Sequence, residues 1–110
     1  MIVETKKGKL PVKYGMNAFA MFSDMTGKTM NEVMSSLGNL GALSVGEVLA
    51  FMFVGFADGA RFANTECVIK DTIEVGDMID EDDKLLSKMT TAFHEDSMAD
   101  DTEEGDSKKK

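Results

Sequence analysis

The spacing of apolar residues changes period early in the chain. Over residues 2–14 it is two: Leu10, Val12 and Tyr14 fall on one face, Pro11 and Lys13 on the other. This predicts a β-hairpin, with residues 2–6 as the first strand, Lys7-Gly8 as the turn and residues 9–14 as the return. Pro11 cannot donate to a ladder, so the return strand belongs at an edge or turns its proline outward. From residue 16 the period becomes helical. Met16, Phe19 and Phe22, with Ala18, Phe22 and Met25, predict a helix over 16–26 that Gly27 closes. Thr29-Met30-Asn31-Glu32 is a capping box opening a second helix over 30–40, which carries Met30, Val33, Met34 and Leu37. Gly38 and Gly41 limit its length.

Ser44-Val45-Gly46-Glu47 is a second capping box, and it opens the longest helix, over 45–63. Val48, Leu49, Phe51, Met52, Phe53, Val54 and Phe56 make it apolar nearly all round, as in a central core helix or one covered by another chain. Gly55 and Gly59, four residues apart, allow a second backbone to approach. Packing within the monomer and self-association into a homo-oligomer are two uses of that face. A short helix over 72–80 follows Asp71. A last helix over 81–96 carries Leu85, Leu86, Met89 and Phe93 on one side, with Glu81-Asp82-Asp83 at its start to suit the helix dipole. Residues 97–110 are polar, acidic and aperiodic, which predicts disorder. The expected fold is mainly α with a small N-terminal β-hairpin (α+β). It is a compact bundle of about five helices forming one domain over residues 1–96, followed by a disordered acidic tail.

A length of 110 residues suits one domain. The net charge of −8 argues against nucleic-acid phosphate as a partner, because phosphate contacts need clustered cations. The charge is uneven: residues 1–70 hold 7 bases and 6 acids, while residues 71–110 hold 5 bases and 14 acids. The acidic region serves solubility, or it steers a basic partner or shields an apolar surface. The N-terminus lacks the apolar run of a signal peptide. The most apolar stretch, residues 48–57, is half the roughly 20 residues that a membrane span requires. One cysteine, Cys67, precludes an internal disulfide and is expected as a small buried apolar group in a reducing, intracellular setting.

The acidic run at residues 77–83 fails as a calcium loop. Counted from Asp80, the sixth position is Leu85 rather than glycine and the twelfth is Thr91 rather than glutamate. Gly27-Lys28-Thr29 ends like a phosphate loop but lacks the earlier glycine and a preceding strand, and reads better as helix stop and N-cap. His94 has no second histidine beside it and is expected to be solvated. No nucleophile, base and orienter assemble, so no enzyme and no cofactor are expected.

Methionine stands out, with ten residues, alongside seven phenylalanines. Methionine fills gaps in cores, and it also serves adaptable surfaces that grip varied apolar segments. On the second use, the candidate partner-binding residues are Phe51, Met52, Phe53, Phe56, Met30 and Met34.

The hairpin, then Lys13-Tyr14-Gly15-Met16-Asn17-Ala18-Phe19, then Met25-Thr26-Gly27-Lys28-Thr29, resembles the tail assembly chaperones of long-tailed bacteriophages. In that family a short hairpin leads into a helix that opens with Tyr/Phe-Gly-Met and closes with Leu-Thr-Gly-Lys-Ser/Thr. The segment from Asp71 to Asp80 looks like the family's short helix before its last one. The resemblance covers roughly residues 9–95; the Phe- and Met-rich middle helix departs from the pattern. It implies a non-enzymatic chaperone that binds the tape-measure protein, keeps it soluble and helps recruit tail-tube (major tail) protein. It also implies residence in the host bacterial cytoplasm and absence from the finished virion. Many such chaperones have a second, longer form made by ribosomal frameshifting. Lys108-Lys109-Lys110 is compatible with an adenine-rich slip site, and equally with a plain basic terminus or a cloning scar. The rival readings are a structural or head-completion phage protein and a cellular adaptor that binds an amphipathic helix.

Overall fold

The computed structural model describes the backbone of residues 1–105 and the side chains of residues 1–96. Two antiparallel strands, β1 (Ile2–Thr5) and β2 (Gly8–Pro11), precede five helices: α1 (Met16–Thr26), α2 (Met30–Leu37), α3 (Val45–Phe62), α4 (Thr72–Glu81) and α5 (Leu85–Gly105). A 3₁₀ turn at Leu40–Ala42 links α2 to α3. The mainly helical class with an N-terminal hairpin is therefore the observed one. The disorder expected of residues 97–110 falls on positions whose side chains, and from 106 whose backbone, lie outside the described residues.

Local chemistry explains where the helices begin. Thr29 and Ser44 each accept from a backbone N–H three residues on, and Glu32 and Glu47 each accept the cap N–H in return. Both capping boxes expected from the sequence are formed. Gly27 ends α1 in the left-handed conformation, at φ 73°, and its N–H donates to the Ser23 carbonyl. Asp71 caps α4 by accepting from the Glu74 N–H at 2.9 Å.

Several boundaries differ from the expectation: α3 ends at Phe62 rather than 63, and α5 runs to Gly105 rather than ending at 96. The turn lies at Lys6-Lys7, because the Thr5 hydroxyl bonds both the Lys7 N–H and the Gly8 carbonyl and so closes the loop one residue early. β2 stops at Pro11, since the Lys13 N–H leaves the hairpin and donates to the Gly55 carbonyl at 3.0 Å. α2 stops at Leu37 rather than 40, just before Gly38. Glu81 closes α4 instead of opening the last helix. Asp82 makes the break: its carboxylate accepts from the Lys84 N–H and its carbonyl from the Leu85 N–H.

α3 is the central element, packed against α1, α4, α5 and β2. The core gathers Val3 and Val12 from the hairpin region, Phe22 from α1, Val33 from α2, Val75 from α4, and Leu85 and Met89 from α5 around Phe51, Met52, Val54 and Phe56. Burial of these side chains is the main stabilising term, each contributing about 1.5–3 kcal/mol. The two helical glycines are used within the chain. A Cβ on Gly55 would lie 2.5 Å from the Tyr14 ring, and one on Gly59 would collide with the Pro11 carbonyl. The backbone they admit is the hairpin exit of the same chain, not a second copy.

Candidate functional site

The Tyr14-Gly15 segment joins the hairpin to α1, and two helices, α3 and α5, fasten it. The Tyr14 hydroxyl donates to the Phe51 carbonyl at 2.9 Å. Its ring stacks on Phe51 at 4.7 Å and meets Phe93 edge-on at 5.5 Å. The Tyr14 N–H donates to the Asp96 carboxylate at 2.8 Å, and the Gly15 N–H donates to Asp58 Oδ2 at 3.2 Å. Asp58 is fully buried and its other oxygen accepts from Arg61 Nε and Nη2 at 3.0 and 2.8 Å. Arg61 is about half exposed, so water shares its charge. Burial, reinforced by the Asp96 charge, pushes the Tyr14 phenol well above its ordinary pKa. This centre is saturated with partners and orders the fold.

Ion pairs fix the periphery. Lys28 meets Glu47 at 3.2 Å and ties the α1–α2 link to the start of α3. Lys7 meets Glu74 at 2.7 Å and ties the hairpin turn to α4. The Ser44 N–H, and then Lys28, hold the Glu47 carboxyl below its ordinary pKa; Lys7, and then the Lys70 N–H, do the same for Glu74.

The six candidate partner-binding residues separate. Phe51, Met52 and Phe56 are buried in the core, which corrects their assignment to a contact surface: each occupies the interior beneath α1, α4 and α5. Phe53 is half-buried against that core. Met30 and Met34 are 45% and 44% exposed. They lie one turn apart on α2 and flank the buried stripe of Val33 and Leu37 at an offset of about 60°. Two further methionines share this outward setting. Met16, the first residue of α1, is exposed, and Met25 rims a depression of about 340 Å³ with Ser44, Glu47 and Thr72. The surface of α1 and α2 thus carries four methionines, while Met52, Met78 and Met89 fill the interior.

Helical spacing set Met16 and Met25 among the apolar positions of α1, where packing leaves both exposed, and pattern alone did not show that Asp58 is buried. A signal for Asp58 existed: an acid follows the most apolar stretch by one residue, with Arg61 three positions on. Cys67 is half-buried and its thiol donates to the Ile69 carbonyl at 3.2 Å. His94 is exposed. Among the described residues no group of three or more His, Cys, Asp or Glu side chains is placed to hold a metal ion. Nor is any described helix long and apolar enough to cross a membrane.

The resembling segments have structural duties here. Tyr14 fills the core, Gly15 bonds Asp58, Gly27 stops α1, Lys28 pairs with Glu47 and Thr29 caps α2. Comparison with family models, with curated proteins and with solved structures gives no match.

Proposed function

We propose that this chain is a tail assembly chaperone of a long-tailed bacteriophage or prophage, and that α1 and α2 present its partner surface. The observation that carries the reading is the exposed methionine set, Met16, Met25, Met30 and Met34, on a scaffold whose core is complete without it. Its company is the resemblance of residues 13–19 and 25–29 to that family's segments. Met30 and Met34 stand at helical spacing beside each other, which suits an apolar stripe on a partner helix. Thioether side chains repack cheaply, so one surface accepts many stripes of similar width. The partner is the tape-measure protein, a long helical chain whose apolar stripes stay exposed until tail-tube protein polymerises around it. Tube subunits then compete for the same stripes and release the chaperone. The acidic half keeps the complex soluble. The protein acts without catalysis or cofactor, in the host cytoplasm, and leaves before the virion is finished.

Co-expression with the tape-measure protein of the same genome tests this. The expected result is a soluble tape measure that co-purifies with this chain and is lost with a Met30→Asp, Met34→Asp double variant that remains folded. A tape measure that stays insoluble with both this chain and any frameshifted longer form overturns the reading. Recovery of the chain from purified virions favours the structural-protein alternative.

A further inference from the structure

The hairpin ends in an open strand edge that faces a helix. In an antiparallel pair, opposed residues alternate between exchanging two hydrogen bonds and exchanging none. Met1 and Val12 exchange two: the Met1 amino group donates to the Val12 carbonyl at 3.0 Å, and the Val12 N–H donates to the Met1 carbonyl at 2.7 Å. The register then makes Ile2–Pro11 a non-bonded pair, Val3–Leu10 a bonded pair and Glu4–Lys9 a non-bonded pair. Pro11, having no N–H, fits its place in this alternation. Ile2 and Glu4 consequently turn their N–H and C=O groups away from β2. The Glu4 carbonyl shows where they point, since it accepts from Lys88 Nζ on α5 at 2.9 Å. The N–H groups of Ile2 and Glu4 and the Ile2 carbonyl have no partner among the described residues.

Between this edge and α5 runs a groove of about 390 Å³. One wall is residues 1–4; the other is Lys84, just before α5, with Ser87, Lys88 and Thr91 on one face of that helix. Ser87 and Thr91 are short, which leaves room for the side chains of an incoming strand. The helix wall is basic. Lys88 is engaged by Asp82 at 3.2 Å, Lys84 is exposed, and Glu4 is the acid on the strand wall.

We propose that this groove binds an extended, acidic peptide segment of another protein, added to β1 as a third strand. The outward N–H and C=O groups of Ile2 and Glu4 form a ladder with it, which gives affinity through main chain. A peptide N–H replaces Lys88 on the Glu4 carbonyl, Lys88 stays paired with Asp82, and the exposed Lys84 meets a peptide carboxylate. Edge-to-edge pairing with a second copy is disfavoured, because it sets Lys84 and Lys88 of one copy beside those of the other. The proposal does not depend on the methionine surface, which lies on other helices.

Three heptapeptides on one Thr/Val scaffold, carrying Glu, Gln or Lys at alternate positions, test the groove by NMR titration of the full chain at low salt. The Glu peptide is expected to shift the Ile2, Glu4 and Ser87 amides and to bind at least about tenfold more tightly than the Gln peptide. The Lys peptide should not bind. Methylating alternate amide nitrogens of the Glu peptide should abolish binding. Ile2→Pro removes an outward N–H and no bond between β1 and β2, so it should stay folded and lose the peptide. Lys84→Glu, at an exposed position, should stay folded and reverse the charge preference. Absence of shifts at millimolar Glu peptide overturns the proposal, as do equal responses to all three peptides and binding that survives N-methylation. A concentration-dependent dimer that occupies the same edge also overturns it.

Discussion

Helices α2 and α3 draw on the same apolar residue types, and the fold places them differently. α3 buries side chains on nearly every side because the hairpin exit, α1, α4 and α5 all pack on it. α2 has fewer neighbours. It buries Val33 and Leu37 and leaves Met30 and Met34 nearly half exposed. An apolar residue therefore belongs to the core or to a contact surface according to how many elements surround its helix. Methionine itself shows this: Met52 on α3 is fully buried beside Phe51 and Phe56, while Met30 and Met34 on α2 stay open to water.

The largest test of this contrast is Phe51→Ala. It removes a buried ring on which Tyr14 stacks and Phe93 abuts. The expected loss is about 3–5 kcal/mol in chemical denaturation. A loss under about 1 kcal/mol would mean that α3 is not the centre of the core. Next comes Gly59→Ala, whose Cβ meets the Pro11 carbonyl rather than a movable side chain. A cost of about 1–3 kcal/mol is expected, together with changed amide shifts in β2, whereas a neutral result would show that the hairpin exit does not lie on α3.

Tyr14→Phe probes the same centre more gently. It deletes the bond to the Phe51 carbonyl and should cost about 1 kcal/mol near neutral pH. It also changes the pH profile. The folded phenol titrates well above its ordinary value, so the stability linked to it is complete below the ordinary tyrosine pKa. That contribution is lost as pH rises through the folded pKa. The wild-type chain should therefore destabilise at alkaline pH more steeply than Tyr14→Phe. Equal slopes would remove Tyr14 as the cause.

Met30→Asp and Met34→Asp are expected to have the smallest effect on stability, within about 0.5 kcal/mol, because water already reaches both side chains. Their effect should fall on partner binding. If either unfolds the chain, α2 is core and the comparison with α3 fails.

Much of this was legible in the residues. Both capping boxes, the Gly27 stop, the central apolar helix and the hairpin follow from local rules, since each depends on atoms three or four residues apart. Boundaries slipped where a side chain bonded the backbone in a way no period records. Thr5 closed the turn early, and Asp82 separated α4 from α5. The candidate site was half legible. Periodicity placed Met30 and Met34 on one helix stripe but could not say how wide the buried part would be. The wealth of Met and Phe also put Phe51, Met52 and Phe56 forward for contact, and packing placed them inside.

Sequence by itself determined which segments are helix and strand, where most of them start, and that one helix is apolar nearly all round. Only the tertiary structure decided what covers that helix, that Gly55 and Gly59 receive Tyr14 and Pro11, and that Asp58 is buried as an acceptor for Gly15. The physical reason is range. Hydrogen bonds and dihedral preferences act between near neighbours in the chain. Burial depends on segments tens of residues apart, such as Tyr14 with Phe51 and Asp96, whose meeting no local pattern encodes.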